Sequence, residues 1–420
     1  MRLFSLKLRG WVNPADAFLQ FFAVEKNAFW LDREHHPNAP FSVVGAGLPT
    51  TELAIDAHTD EELPFDWRPG LVGFFEYEGA PKFLYVDRAM VFDHAARKMY
   101  FVGIFETPAD FEHWCNAALL RLGLIGGELA AYRMRNAVSS SPTSVSLRHD
   151  AGAYLDMVNQ AQRHIAAGDV YQICLTNQIE INHELDPLSV FLNLREINPA
   201  PYAAFLKLGE LAIVCSSPEQ FLQVSPNGTV STKPIKGTRP RSEDALQDQA
   251  NAEELRTNEK ERAENLMIVD LMRNDIGRVA RADSVRVPKL FEIESYATVH
   301  QLVSTVEAEL AEGQSAFTAL AAAFPGGSMT GAPKSRAMQI IEQLEAGKRG
   351  VYSGAIGYFG FNGSADFGMT IRTVVFEGSR ASIGVGGGIT SDSDPMAELE
   401  ETKLKARALL RVLNAPDPWA

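Results

Sequence analysis

Gly354-Ala-Ile-Gly-Tyr-Phe-Gly-Phe361, Ala365-Asp-Phe-Gly-Met-Thr-Ile-Arg-Thr-Val-Val-Phe-Glu377 and Arg380-Ala-Ser-Ile-Gly-Val-Gly386 follow one another with no room for a helix between them. Each reads as a strand. The same clustering recurs at 202–208 and 211–215, and again at 285–297 and 301–310, and a further strand is expected near 170–182. Earlier strands are expected at 3–8, 28–32, 41–46, 70–77 and 100–105. A helix is expected from Pro14 to Glu25, capped by Asn13, and another at 151–167, capped by Asp150. Further helices are expected at 109–130, 244–273, 315–323, 334–346 and 396–413. Strands grouped between helices, without strict alternation, predict an α+β protein with largely antiparallel sheets and not a doubly wound fold. The serine-rich stretch Asn136–Ser146 reads as a connection. It divides the chain into an N-terminal α/β region (1–135), a linker (136–148) and a larger region (149–415).

The chain has 420 residues, 46% hydrophobic and 22% charged, ample for one large core or two domains. A net charge of −14 argues against nucleic acid as a partner, and no block of Lys and Arg argues otherwise. An anionic ligand would need local attraction, from a metal ion or a few placed cations. The cysteines Cys115, Cys174 and Cys215 are odd in number and widely spaced, which fits buried thiols in a reducing compartment. Lys7 and Arg9 interrupt the apolar residues of the N-terminus, unlike a signal peptide. No apolar run approaches the ~20 residues that span a bilayer. The expectation is a soluble cytoplasmic protein.

Several segments carry candidate chemistry. In Lys233-Pro-Ile-Lys236-Gly-Thr-Arg-Pro-Arg241, Gly237 lets the backbone turn sharply and leaves room beside the Lys236 amine. A confined amine loses proton affinity and becomes nucleophilic, and Arg239 and Arg241 would push the same way. The plain alternative is a solvated turn. Two Glu-x-x-Glu pairs, Glu261/Glu264 and Glu398/Glu401, each place two carboxylates on one helix face. If those faces met, four carboxylates would crowd together, tolerable only around a hard cation such as Mg²⁺. Otherwise each pair is a solvated face. Lys405, four residues after Glu401, is either an ordinary helix ion pair or a contact for a substrate carboxylate.

Phe324-Pro-Gly-Gly-Ser-Met-Thr-Gly-Ala-Pro-Lys334 leads into an expected helix, whose N–H groups attract anions. Its likeness to a phosphate-binding P-loop is superficial, because Ala332 and Pro333 break the required Gly-Lys-Ser/Thr, so nucleotide binding is rejected. Gly386, Gly387 and Gly388 leave bare backbone at the end of a strand, open to a carboxylate or to a tight turn. Arg372, in an expected strand, points to solvent or grips a carboxylate. Glu219, after Ser216-Ser-Pro218, is a general acid if burial raises its pKa and a helix-start glutamate otherwise.

Together these segments resemble the chorismate-utilising enzymes: anthranilate synthase component I, aminodeoxychorismate synthase component I, isochorismate synthase and salicylate synthase. The likeness covers roughly 150–413 through ordered motifs at 216–219, 234–241, 264–275, 324–334 and 384–395. It implies two packed antiparallel sheets with helices outside, chorismate as substrate and Mg²⁺ as cofactor. By position it implies Glu264 and Glu401 as Mg²⁺ ligands, with Glu261 and Glu398 acting directly or through water. Thr238, Ser328, Tyr352, Arg372, Lys405 and the backbone of Gly386 to Gly388 would bind the substrate, and Glu219 would be the general acid.

Position 236 separates the branches. Anthranilate synthases commonly carry alanine there and aminodeoxychorismate synthases lysine, so the resemblance implies a covalent Lys236 adduct at C2 and amination at C4. Gln172 stands where members that add water tend to have a lysine base, which counts against isochorismate and salicylate synthase. Gln301 stands where anthranilate synthases often have histidine, and His300 beside it is a structural histidine on this reading. None of the three cysteines has an amidotransferase context, so a separate glutamine amidotransferase subunit supplying ammonia is expected. Arg33, after Trp30-Leu-Asp32, stands where relatives often have serine, so tryptophan binding is not assigned. The competing readings are anthranilate synthase component I and a non-catalytic regulatory subunit of an amidotransferase complex.

Overall fold

A computed structural model of the chain describes residues 1–52, 62–136, 142–296 and 299–420. Two antiparallel sheets carry the architecture, with twelve and ten strands among the described residues. Part of the larger runs in the order Asn27–Asp32, Tyr202–Leu208, Leu211–Ser217, Thr373–Glu377, Arg380–Ile389, Gln172–Asn182. Part of the smaller runs Ile235–Pro240, Val299–Glu309, Thr229–Thr232, Gln220–Val224, Ala365–Met369, Ala355–Gly360, Gly70–Phe75. Strands from the first 135 residues thus sit in both sheets, beside strands from the rest of the chain.

Alternate residues of one strand enter different cores. Ala203 and Phe205 pack with Phe18 and Phe191 of the covering helices, while Ala204 and Leu206 meet Val72, Phe74 and Ile356 of the other sheet. A strand buried on both faces has no polar side to show, so its sequence is an apolar run without alternation. The helix Glu259–Gly277 covers the smaller sheet through Ile268, Val269, Met272 and Ile276. The helix Pro395–Val412 covers the larger through Ala406, Leu409 and Leu410.

Several expected elements divide. The helix expected at 244–273 is two, Ala245–Thr257 and Glu259–Gly277. Asn258 is extended between them (ψ 115°) and its side chain accepts the N–H of Glu261 at 3.1 Å, so it ends one helix and caps the next. The helix expected at 109–130 is Pro108–Leu122 and Glu128–Arg135, interrupted where three glycines fall within 123–127. Of the expected linker, residues 137–141 lie outside the described residues. Ser144–Leu147 is a strand against Gln172–Asn182, with Val145 and Leu147 half-buried between exposed serines. No helix among the described residues is long and apolar enough to cross a membrane.

The strand expected at 365–377 also divides, and this division builds the site. Ala365–Met369 belongs to the smaller sheet and Thr373–Glu377 to the larger. Arg372 lies between them in the left-handed region, at φ 52°. The chain makes the same change of sheet at Pro218 and Glu219, between Leu211–Ser217 and Gln220–Val224. The two crossings run side by side: the Met369 N–H donates to the Glu219 carbonyl at 3.0 Å, and the Ser216 N–H to the Arg372 carbonyl at 3.1 Å.

Candidate active site

Lys236 is on an edge strand, Ile235–Pro240, and not in a turn. Lys236 pairs with Leu302 and Thr238 with Gln301, which leaves Gly237 as a bulge with φ +79°. A Cβ on Gly237 would lie 2.7 Å from Leu255 and 2.8 Å from Glu261, so the room expected there for a ligand is occupied by these side chains. Thr238 is exposed, and its carbonyl accepts Arg239 Nη1 at 3.0 Å.

The bulge lets Lys236 reach between the sheets. Its Nζ donates to Glu264 Oε2 at 3.2 Å and would lie 2.8 Å from a Cβ on Gly388. Burial alone pulls the amine down, but the Glu264 carboxylate outweighs it and holds the amine above its ordinary value. The expected loss of proton affinity is therefore overturned in this state. Arg239 and Arg241 do not act as expected either. Arg239 is taken by Glu254 at 2.6 Å and Glu261 at 3.3 Å, and Arg241 by Asp248 at 2.9 Å.

Glu219, on the sheet crossing, is buried. Burial pushes its carboxyl up to about 7, against a hydrogen bond from Ser328 and the charges of Lys236 and Lys405. A carboxyl that titrates there keeps a substantial protonated fraction at neutral pH and can donate a proton. Ser328 sits in a short 3-10 turn, Gly327–Met329, over a small cavity that it lines with Glu219, Met272 and Met369.

The four glutamates of the two pairs are interleaved with lysines. Glu264 lies between Lys236 and Lys260, the latter at 3.9 Å. Glu401 pairs with Lys405 at 2.6 Å, and Lys405 Nζ also donates to the Gly386 carbonyl at 2.8 Å. Glu398 accepts the Ser393 hydroxyl at 2.7 Å. Burial raises the Glu398 carboxyl, and the neighbouring Glu401 charge adds to the rise. Lys260, on the Glu259–Gly277 helix, acts on both Glu398 and Glu401, so the two acidic helices do face one site. Glu261 stands at its edge with Arg239.

Among the described residues no three carboxylate, thiol or imidazole groups are close enough to hold a metal ion in this arrangement. The donor chemistry nonetheless suits a hard divalent cation: all four are carboxylates, and Glu398 and Glu401 repel one another.

Gly386, Gly387 and Gly388 lie within the strand Arg380–Ile389 and form a bare wall. A Cβ on Gly387 would meet Glu398 Oε2 at 3.0 Å and Lys405 Nζ at 3.6 Å, so the charged groups approach the backbone itself. Arg372, at the crossing and not in a strand, donates from Nη1 to the Lys405 carbonyl at 3.3 Å. Burial lowers its pKa, opposed by Tyr352 and Glu401. Tyr352 is buried, with its ring against Gly384.

Sequence reasoning missed the positive part of Gln172. It is buried, points at Gly388 beside Lys236, and neither of its amide atoms has a partner among the described residues. The buried His300 ring is held at 2.8 Å from the Ser295 hydroxyl and 3.0 Å from Asp248. Arg33 is buried with its guanidinium 4.3 Å over the Tyr202 ring and 3.4 Å from Asp366.

Two sheets exchanging strands beside a buried lysine, with two acidic helices closing over a glycine wall, define a class, and residues 53–411 match the model of the chorismate binding enzyme family. The chain belongs to that family. It is similar to an aminodeoxychorismate synthase of Streptomyces griseus, 46% identical over 85% of this chain and 52% of that protein. It is also similar to aminodeoxychorismate synthase component 1 of Salmonella typhimurium, 40% identical over 86% of this chain and 80% of that one. Among solved structures, anthranilate synthase component I of Streptococcus pneumoniae superposes with a TM-score of 0.74 at 30% identity, covering 97% of this chain and 92% of that chain. The chain spans about half the length of several of the curated relatives it matches.

Proposed function

We propose that the chain aminates chorismate at C4, giving 4-amino-4-deoxychorismate, through a covalent adduct of Lys236 at C2. The observation that carries this reading is the Lys236 amine, buried between Glu264 and the Gly388 backbone on the same site as a carboxyl, Glu219, that titrates near 7. Arg372, Tyr352, Lys405 and the glycine wall would hold the substrate's carboxylates. Glu264 and Glu401, with Glu398 and Glu261 beside them, would hold Mg²⁺. When bound, the cation would supply positive charge for the ring carboxylate, and Glu264 would be shared between it and the Lys236 amine.

The neutral Lys236 amine attacks C2, the ring double bonds shift, and the C4–O bond breaks. Glu219 gives its proton to the departing hydroxyl, which leaves as water, and the lysine nitrogen loses a proton. Ammonia then attacks C4, the double bonds shift back, and the C2–N bond breaks to return Lys236. Atoms balance as chorismate plus ammonia giving aminodeoxychorismate plus water. Ammonia would come from a glutamine amidotransferase subunit, and the product would feed 4-aminobenzoate and folate synthesis in the cytoplasm.

The test is incubation with chorismate, Mg²⁺ and an ammonium salt, followed by separation of products. 4-Amino-4-deoxychorismate without pyruvate is expected, and no turnover in Lys236→Ala. The likeness to anthranilate synthase component I keeps that second reading alive. Fluorescent anthranilate with stoichiometric pyruvate would establish it and end the first.

A further inference from the structure

The Ser328 turn is a single 3-10 turn, and two cations brace it from behind, the half-buried Lys334 and the buried Arg349. Lys334 Nζ donates to the Ala323 carbonyl at 2.8 Å and the Pro325 carbonyl at 2.7 Å, and is held by Asp275 at 2.5 Å. Arg349 Nη1 donates to the Met329 carbonyl at 2.6 Å. Its other nitrogens reach Glu345 at 2.8 Å and 2.6 Å and the Cys174 carbonyl at 2.8 Å. Between them, the Thr330 hydroxyl lies 3.3 Å from both the Gly326 and Gly327 carbonyls. Carbonyls on both sides of Ser328 are thus drawn toward these donors.

Both ion pairs tie the turn to elements that carry other site residues. Asp275 is on the Glu259–Gly277 helix with Glu261 and Glu264. Glu345 accepts the Thr176 N–H at 2.8 Å, on the strand of Gln172 and Cys174. A buried charge with its partner removed is costly, so neither cation can let go of its carbonyls without penalty.

We infer that Lys334 and Arg349 are positioning residues, which fix the Phe324–Thr330 loop so that the Ser328 hydroxyl is held against the Glu219 carboxyl. Neither needs to touch substrate. A displacement of about 0.5 Å at an acid's hydrogen-bond partner is enough to lower turnover. The inference rests on the proposed role of Glu219 as the acid.

The test is a double-mutant cycle, read as chorismate consumption so that it does not depend on which product forms. Lys334→Met should lower kcat about tenfold or more and leave the KM for chorismate within about threefold, as loss of an aligned proton donor requires. In a Ser328→Ala background the same substitution should cost less than about twofold, because the contact it serves is already gone. Arg349→Lys is read in the same cycle and should behave alike, and Lys334→Arg substitutes for Lys334→Met if that variant does not unfold cooperatively. Equal losses in both backgrounds, or a loss confined to KM, would overturn the inference. If the wild type consumes chorismate and the cycle is additive, only this inference fails; if the wild type consumes none, the proposed reaction fails with it.

Discussion

Two lysines serve one site, and each is paired with a glutamate, yet the pairs are built differently. Lys405 and Glu401 are one helical turn apart, and their side chains are 27% and 54% exposed. Lys236 and Glu264 come from a strand and a helix, and theirs are 14% and 12% exposed. The first pair is local, forms whenever the helix forms, and is worth about 0.2–0.5 kcal/mol. The second exists only once the smaller sheet and the Glu259–Gly277 helix have packed, in surroundings where a lone charge is expensive. One lysine is therefore suited to holding a ligand and the other to being a nucleophile whose proton is controlled by its partner.

The largest effect should follow removal of the buried lysine. Lys236→Ala should lower ammonia-dependent turnover by about 10³-fold or more while leaving chorismate affinity within a few-fold, measured by steady-state kinetics and titration calorimetry. Retained turnover would make the two lysines equivalent and remove the covalent step. A trapped adduct of the mass of Lys236 plus dehydrated chorismate, seen by intact-protein mass spectrometry without ammonia, would sharpen the contrast instead.

Next in size is Glu219, which connects the two lysines because both of their charges lower it. Glu219→Gln should cost about 10²-fold in kcat, within the range of general acid catalysis. The group works protonated, so its own contribution to kcat should be level below its pKa of about 7 and fall about tenfold per pH unit above it, a limb that Glu219→Gln should lack, while deprotonation of Lys236 adds a separate rising limb on the acid side. The Ser328 bond favours the charged form, so Ser328→Ala should move that falling limb to higher pH. A limb that moved down would contradict the assignment.

What the sequence revealed and what it hid follow the same division between local and long-range structure. The Glu398/Glu401/Lys405 face was legible because helix spacing alone sets it, and the 2.6 Å pair is where i, i+4 puts it. The large antiparallel sheets were legible from strands that follow one another without helices. The break at Arg372 was not, since Ala365-Asp-Phe-Gly-Met-Thr-Ile-Arg-Thr-Val-Val-Phe-Glu377 reads as one strand and only its pairing with two different sheets divides it. Lys236 was singled out as a confined amine with the wrong electrostatics: Arg239 and Arg241 are near in sequence, whereas Glu264, 28 residues away, is near in space. Lys334 and Arg349 look like ordinary surface cations, because the carbonyls and carboxylates that bury them lie on other elements.

The proposed Mg²⁺ site offers a smaller effect. Glu398 is buried and its carboxyl is raised, whereas Glu401 is more exposed and lowered by Lys405. Glu398→Gln should therefore raise the Mg²⁺ concentration for half-maximal activity by about tenfold, within the 10–100-fold typical of changes around a metal site. Calorimetric titration of Mg²⁺ into the variant, without substrate, checks this independently of turnover. An unchanged requirement would assign Glu398 to structure alone.

The smallest effect should come from the exposed pair. Lys405→Met removes a local ion pair and the bond to the Gly386 carbonyl, and keeps most of the apolar stem that packs along the helix. The ion pair itself should contribute no more than about 0.5 kcal/mol to stability, because it is a local i, i+4 contact with an exposed glutamate. If Lys405 grips a substrate carboxylate, the KM for chorismate should rise about tenfold, as for a lost hydrogen bond to a charged group worth about 1.5 kcal/mol. kcat should hardly change, because that grip is the same in the ground state and the transition state. A fall in kcat with KM unmoved would mean that the exposed lysine shares in the chemistry, and the distinction between the two pairs would be lost.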